Sequence, residues 1–205
     1  MGLISRKDRI LCWGDRDSTT LGWLRRQRFK AEGVPSNSAS PATGAYLYDV
    51  VLFEQHGGME TDSAGQCRFL RDALCHVRPG GRLGLVLPAE MLTVNYAAPV
   101  REFLMRGFGR VRLVLFTERI FPGVMEDVVL LMAEGRGEGP TGHCELLQTR
   151  NGETLSALVE TDVRRWSPVR GERWSGALLD EEASSAYAGA VGSGDYVPLL
   201  AWGDT

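Results

Sequence analysis

The sequence predicts an α/β fold built on a doubly wound, mostly parallel sheet. Residues 66–77 carry apolar side chains every three or four positions, which is the spacing of an amphipathic helix. The run Leu-Gly-Leu-Val-Leu at 83–87 is continuously apolar, as in a strand that helices cover on both faces. A second helical pattern at 99–108 separates this strand from two further strands, at 111–116 and 127–132. This order of elements is that of the second half of a doubly wound domain.

The N-terminal region is predicted to contribute little to this sheet. Residues 10–13 are apolar enough for a short strand, but a poorly packed N-terminus is the expected interpretation. Residues 31–44 are rich in Gly, Pro, Ser and Asn, which indicates a loop. Residues 46–53 (YLYDVVLF) are β-branched and aromatic and predict a strand. The expected organisation is an irregular region at 1–44, a sheet-forming region at 45–134 and an extension at 135–205.

Turn signals and side-chain spacing define the elements that follow. Pro79-Gly80-Gly81 is predicted to end the helix at 66–77. In the helix at 99–108, the apolar face is predicted to hold Val100, Phe103 and Leu104, with Arg101, Glu102 and Arg106 opposite.

The C-terminal part of the pattern predicts two hairpins. A short connector with Phe121 at its tip joins the strands at 111–116 and 127–132, which predicts an antiparallel pair at the edge of the sheet. Asn151-Gly152 is a strong turn signal and predicts another hairpin at 143–158.

Composition indicates one ordinary globular core. The chain has 205 residues, of which 43% are hydrophobic and 24% charged. The net charge of −3 counts mildly against a free-standing nucleic-acid-binding domain, since most of these are basic. No run is long and apolar enough to span a membrane, so no membrane contact is expected. Four cysteines without a Cys-x-x-Cys pair predict reduced thiols in a cytoplasmic protein rather than a metal site.

The stretch from residue 69 to residue 132 resembles the N6-adenine-specific DNA methyltransferases of restriction–modification systems. These are class I, S-adenosylmethionine (SAM)-dependent enzymes with an Asn-Pro-Pro-Tyr/Phe/Trp catalytic motif. In that family a helix ends in a Pro-Gly-Gly turn and runs into a strand that ends in proline, as at 69–81 and 83–92 here. A Leu-Arg helix and a hairpin containing Phe-Pro follow, as at 100–104 and 111–132. The resemblance implies the C-terminal half of a Rossmann-like methyltransferase sheet.

The resemblance also implies a position for the catalytic motif. Aligning Thr20 to Phe29 with the family's motif puts Thr20 at the catalytic Asn or Asp, and Trp23 at the aromatic that stacks on the flipped base. Arg25 would then lie beside the DNA. Thr20 lacks an amide oxygen, and Leu-Gly replaces Pro-Pro, so residues 1–44 are expected to hold a degraded catalytic loop and a linker. An alternative alignment makes Tyr48 to Val51 the strand before the motif, with Glu54-Gln55-His56 in its place.

Two further site residues follow from the hairpin. In the family, an aromatic residue in this loop stacks against the extruded adenine, a role that falls on Phe121. The neighbouring Arg119 is a candidate for a DNA phosphate. A smaller candidate is Glu90, which follows a strand at the edge where α/β proteins bind ligands, although an acid favoured by the dipole at a helix start is the preferred explanation.

Several family features are missing from the sequence. SAM, the cofactor that the resemblance implies, needs a Gly-rich turn after the first strand and an acid after the second, and neither pattern precedes Thr20. The segment around Trp174 resembles the one before the family's target-recognition domain, which is expected to be absent. We therefore expect a truncated, inactive methyltransferase chain that needs a complementing half or a recognition subunit to act on DNA. The alternatives are a non-catalytic remnant or scaffold that pairs with a methyltransferase-like partner, and a small α/β domain that binds an unknown ligand.

Overall fold

A mixed α/β sheet forms the centre of the protein. The computed structural model describes residues 4–14, 19–35, 48–54, 75–118, 127–158, 162–168 and 173–193. The strands are β1 Arg9–Gly14, β2 Lys30–Pro35, β3 Tyr48–Glu54, β4 Val77–Pro88, β5 Phe108–Phe116, β6 Val128–Arg136, β7 Cys144–Thr149 and β8 Arg164–Trp166. The α-helices are α1 Thr19–Arg26, α2 Ala98–Gly107 and α3 Glu181–Gly192. Short 3-10 helices cover Ala89–Leu92, Asn95–Ala97, Glu153–Ala157 and Ser175–Leu178.

The described strands form one eight-stranded sheet in the order β2-β1-β3-β4-β6-β5-β7-β8. Strands β2, β1, β3 and β4 are parallel, β6 is antiparallel to both β4 and β5, and β7 is parallel to β5. The α/β fold and the antiparallel β5–β6 pair are therefore confirmed. The expectation that this pair forms the sheet edge is wrong, because β7 and β8 extend the sheet beyond β5.

The N-terminal segment forms an inner strand of the sheet, contrary to expectation. Strand β1 lies between β2 and β3, and Ile10 and Leu11 are fully buried. Helix α1 packs on the same region through Leu21 and Leu24, which form a cluster with Ile10. The burial of β1 comes from parallel pairing with β3, about forty positions along the chain, which the local pattern does not reveal.

The Pro79-Gly80-Gly81 segment is a bulge inside β4 rather than a turn between a helix and a strand. Val77 pairs with Tyr48 and Arg82 pairs with Val50, so β4 has extra residues here. Gly80 has φ +68°, and a Cβ on Gly81 would lie 2.8 Å from the carbonyl oxygen of Arg78. Only glycine fits such a conformation and approach without strain. Most of the helix predicted at 66–77 lies outside the described residues, and its last residue, Val77, begins β4.

Helix α2 matches its predicted position within one residue, but its faces differ from the prediction. Val100 and Leu104 are buried as expected. Phe103 is 37% exposed, and Arg101 is only 4% exposed. The Arg101 guanidinium is buried because its Nη1 donates hydrogen bonds to the carbonyl oxygens of Met91 and Val94, each at 2.9 Å.

A buried ion pair joins β5 to β7. Nε and Nη2 of Arg112, which is 2% exposed, donate to Oε2 of Glu145 at 2.9 and 2.7 Å. Arg110 Nε donates to the same oxygen at 2.9 Å. Burial raises the pKa of Glu145, but the hydrogen bonds and charges of the two arginines outweigh it and hold this pKa below its usual range.

The C-terminal part packs on the same core. The prediction of a tight hairpin at Asn151-Gly152 is wrong. The chain forms the 3-10 helix Glu153–Ala157 after β7, and the strand that pairs with β7 is β8, at Arg164–Trp166. Asn151 Oδ1 instead accepts backbone hydrogen bonds at the start of that 3-10 helix. Trp174 is 2% exposed and belongs to the core cluster that contains Leu92 and Leu113.

Candidate functional site

The candidate site is the edge of the sheet at which the parallel strands end. From β1 the chain continues to β2 on one side, whereas β3 lies on the other side. In doubly wound sheets such a topological switch point opens a crevice outside the carboxyl ends of the strands, where ligands bind. Strands β1 and β3 are adjacent here, with Trp13 opposite Phe53. We refer to this region as the switch-point edge.

Four strand ends define the switch-point edge. Strand β1 ends at Gly14, β2 at Pro35, β3 at Glu54 and β4 at Pro88. Residues 15–18, 36–47 and 55–74, which follow three of these strands, lie outside the described part of the chain. The described residues therefore fix the position of the edge and the connection after β4.

The connection after β4 is held in place from several directions. The backbone N–H of Ala89 donates to the Asp127 carbonyl oxygen at 2.8 Å. Arg101 holds two carbonyl oxygens of the same connection, and the N–H of Trp174 donates to the Leu92 carbonyl oxygen at 2.7 Å. These contacts come from the residue before β6, from α2 and from the C-terminal segment, so the connection is a fixed wall of the switch-point edge.

Glu90 is the acidic side chain on this wall. It is exposed, lies in the first turn of a four-residue 3-10 helix, and accepts a hydrogen bond from the Tyr96 hydroxyl at 3.3 Å. Glu90 follows β4 at the switch-point edge, which is the position that the sequence predicted for it. A solvated carboxylate with a tyrosine partner can accept a hydrogen bond from a ligand, but no feature of its contacts marks it as a catalytic acid or base.

A polar group lies at the end of β5 on the same side of the sheet. The Glu118 carboxylate pairs with Arg150 at 3.0 Å and accepts a hydrogen bond from Asn151 Nδ2 at 3.0 Å. Backbone hydrogen bonds from Thr117 and Glu118 to the carbonyl oxygens of Thr149, the last residue of β7, and of Arg150 continue the ladder. The chain then enters residues 119–126, so the predicted Phe121 and Arg119 lie outside the described residues.

Helix α1 carries the residues that the sequence placed in the catalytic motif. Thr20 lies in its first turn, Trp23 is 50% exposed on its outer side, and Arg25 is exposed with its Nε donating to the Ala31 carbonyl oxygen at 3.3 Å. The segment connects β1 to β2 and is a helix rather than the predicted loop, and the site roles of Thr20, Trp23 and Arg25 stay predictions. The spacing of Leu21 and Leu24, which bury against β1, accounts for the helix.

The alternative alignment agrees better with the sheet. Strand β3 contains Tyr48 to Val51, lies beside β1 at the switch point, and ends at Glu54. Gln55 and His56 follow it outside the described residues. The signal that indicated this position was the strand pattern YDVV followed directly by polar residues.

The described residues do not provide the contacts through which the resembling family binds SAM. That mode needs an acid at the end of the second strand for the ribose, but β2 ends in Val34-Pro35. Glu32 lies further back on β2 and is already engaged: one carboxylate oxygen accepts a hydrogen bond from the Tyr48 hydroxyl at 3.0 Å, and the other lies 3.9 Å from Arg9. Within the described ranges, no cluster of three or more His, Cys, Asp or Glu side chains is arranged for a metal ion.

A second depression lies at the opposite end of the strands. It is an open cavity of about 570 Å³, lined by Gly80, Arg82, Gly109, Arg110, Glu134, Gly135 and Glu138. Arg82 is paired with Asp8 at 3.2 Å and Arg110 with Glu145, so its cations are already neutralised by carboxylates. We therefore assign the candidate site to the switch-point edge rather than to this depression.

Comparison with solved structures finds restriction–modification proteins at low similarity. A type I methyltransferase subunit from Streptococcus thermophilus is 10% identical over 93% of this chain and 49% of its own length, with a TM-score of 0.48. The type I restriction enzyme EcoKI M protein is 13% identical over 69% of this chain and 34% of its own, with a TM-score of 0.47. The ATP-dependent Type ISP enzyme LlaBIII, solved bound to DNA, is 9% identical over 62% of this chain and 12% of its own, with a TM-score of 0.46.

This chain therefore spans about half or less of the length of these proteins. No protein-family model matches the sequence, and no curated protein matches it. Similarity at this level does not carry the function of those proteins to this chain. None of the helices in the described ranges has the length and apolar character needed to cross a membrane.

Proposed function

We propose that this chain is a DNA adenine-N6 methyltransferase-like protein of the restriction–modification type, which does not transfer a methyl group on its own and acts with a partner subunit. The observation that carries this proposal is the position of β3. It ends at the switch point beside β1, where the family's catalytic Asn/Asp-Pro-Pro-aromatic motif follows its strand. Here the strand ends in Glu54, and Gln55-His56 follows it.

The chemistry of methyl transfer explains why this replacement matters. The amino group of adenine is a weak nucleophile, because its lone pair is delocalised into the ring. In the family, a side-chain amide or carboxylate and a proline carbonyl accept hydrogen bonds from the two N–H groups of this amine. These hydrogen bonds direct its lone pair at the methyl group that SAM supplies. Neither Thr20 on α1 nor the residues after β3 reproduce that pair of acceptors with a rigid Pro-Pro backbone.

The proposed partners are DNA and a methyltransferase-like or recognition subunit. Phe121 and Arg119 remain predictions for contacts to an extruded adenine and to a phosphate. A complementing half that supplies strands is not part of the proposal, because β1, α1 and β2 already occupy the side of the sheet that such a half was expected to supply. A partner is therefore proposed to contribute catalytic groups and recognition rather than missing strands.

A methyl-transfer assay with a reconstitution arm tests the proposal. Duplex DNA is incubated with SAM and the purified chain, and N6-methyladenine is measured by mass spectrometry, with an active adenine methyltransferase as the positive control. We expect no product from the chain alone. Methylation by the chain alone contradicts the non-catalytic part of the proposal.

Co-expression tests the partner. The chain is produced with the products of the reading frames that flank its own, and complexes are separated by size and assayed for methyl transfer. We expect a stable complex with a methyltransferase-like or DNA-recognition subunit. A chain that stays alone with every one of these products contradicts the partner role.

A second candidate is an active transferase that uses Glu54 or His56 as its polar group. The position of β3 at the switch point favours it, because a polar side chain after this strand would face the crevice. If the methyl-transfer assay gives product, Glu54→Gln and His56→Ala separate the two readings: loss of product in either variant supports this candidate.

A further inference from the structure

The outer face of α1 and the start of β2 carry a concentrated positive charge. Four exposed cations lie within six residues: Arg25, Arg26, Arg28 and Lys30. Residues 18–31 contain no acidic residue, although the whole chain has a net charge of −3. No carboxylate within the described ranges forms an ion pair with any of these four cations. We call these residues, together with Trp23, the α1 basic surface.

An exposed aromatic side chain lies on the same helix, two residues before Arg25. Trp23 is 50% exposed, whereas its neighbours Leu21 and Leu24 are 1% exposed, so the indole ring is not the part of α1 that anchors the helix. Its ring is stacked loosely on Phe29, with centroids 6.4 Å apart and an interplanar angle of 25°. A large apolar ring left half in water, and supported by a second ring, is suited to contact a flat ligand.

Local contacts and backbone geometry position three of the cations. Arg25 is oriented by its hydrogen bond to the Ala31 carbonyl oxygen, and the Arg26 guanidinium lies 3.5 Å from the position of a Cβ on Gly22, one residue from Trp23. Arg28, with φ +65°, lies in the turn between α1 and β2. The helix dipole favours Arg25 and Arg26 in the last turn, but it does not account for Arg28, Lys30 or the exposed ring.

We propose that the α1 basic surface binds single-stranded nucleic acid. Cations that follow a backbone, combined with an exposed aromatic ring on which a base can stack, are the two features by which proteins hold single strands without sequence preference. A duplex offers its phosphates to such a surface but keeps its bases inside the stack, so Trp23 gives the single strand its advantage. The inference does not depend on methyl transfer, since it rests on the charges and the ring alone.

Fluorescence anisotropy with a labelled oligothymidine tests this surface in the absence of SAM. We expect binding to the purified full chain that weakens as salt increases, and weaker binding to a duplex of the same length. Trp23→Ala is expected to weaken binding by about fivefold or more, because base–aromatic stacking contributes about 1–3 kcal/mol. Trp23→Phe keeps a ring and is expected to retain most of the affinity.

The charge contribution is tested with a matched pair of double variants. Arg26→Gln with Lys30→Gln is expected to reduce the slope of log K against log salt by roughly 1.4, since each phosphate contact to a single strand contributes about 0.7. Arg106→Gln with Arg165→Gln removes the same charge from exposed sites elsewhere and is expected to leave the slope unchanged. Circular dichroism establishes that all variants are folded.

Three results would overturn the inference: no binding of oligothymidine by the folded chain, equal losses in the two double variants, or tighter binding to duplex than to single strand. Failure here leaves the proposed function standing, because methyl transfer and partner binding are measured separately.

Discussion

Replacing Arg101 by Met tests the wall of the switch-point edge. Arg101 lies on α2, is 4% exposed, and donates from Nη1 to the carbonyl oxygens of Met91 and Val94. Methionine fills similar space without a donor, so the substitution leaves two backbone acceptors without this partner.

The magnitude follows from the two hydrogen bonds. A hydrogen bond from a charged group contributes roughly 1.5–3 kcal/mol, and the bond to Met91 is buried whereas that to Val94 is partly buried. Relief of the desolvated charge offsets part of the loss. We expect Arg101→Met to lower the free energy of unfolding by about 2–4 kcal/mol, a large share of the roughly 5–15 kcal/mol typical of a domain.

Urea unfolding followed by circular dichroism measures this effect, with Arg106→Met as the matched control. Arg106 lies on the same helix, is exposed, and pairs with Glu102 at 3.0 Å. An exposed pair of this kind contributes about 0.3–0.5 kcal/mol. Hydrogen exchange should also become faster at the amides of Thr93 and Val94, which donate to the Glu90 carbonyl oxygen. A loss for Arg101→Met no larger than that of the control would refute the role of Arg101 in holding the connection.

Three further substitutions test the fold around the site. The pKa of Glu145 is lowered in the folded protein, so its contribution to stability is present above its unfolded pKa and is lost as pH falls through the folded pKa. Glu145→Gln should therefore flatten the acid limb of a curve of unfolding free energy against pH. An unchanged acid limb would contradict the ion pair. Gly81→Ala should lower the thermal midpoint because its Cβ would approach a backbone oxygen at 2.8 Å, whereas Gly142→Ala, with open space around it, should not; equal midpoints would argue against the bulge. Leu24→Ala should lower the free energy of unfolding, measured with denaturant, by about 2–5 kcal/mol if α1 is a packed helix. A decrease below about 1 kcal/mol would favour the loop that the sequence predicted.

The elements that could be predicted from sequence are those with a strong local pattern. The strand at 83–87, helix α2 and strand β3 each have the apolar spacing or β-branched composition of their structure. The antiparallel pairing of β5 and β6 followed from the short connector and from the family resemblance. These elements needed no information from distant parts of the chain.

The elements that were missed depend on distant partners. The four apolar residues of β1 lie in an inner strand only because β2 and β3 pair with them from about twenty and forty positions away. The burial of Arg101 depends on carbonyl oxygens in a connection seven to ten residues upstream. The Pro-Gly-Gly signal correctly indicated irregular backbone, but a turn and a bulge use the same residues.

The choice between the two positions for the catalytic motif had the same cause. Both Thr20 and the residues after Val51 agree with part of the family pattern. Which of them lies at the switch point depends on the order of the strands in the sheet, and that order favours β3. Phe121 and Arg119 stay predictions, since they lie outside the described residues.

Calorimetric titration of SAM into the purified, folded chain tests the central claim most directly. Within the described residues, the sheet does not present the groups with which the resembling family holds SAM, since β2 ends in Val34-Pro35 where the ribose would need an acid. The proposed function includes no bound cofactor on this chain alone. It therefore predicts no saturable heat of binding. Saturable one-to-one binding would show that the chain builds a cofactor site from other residues, and would contradict the account.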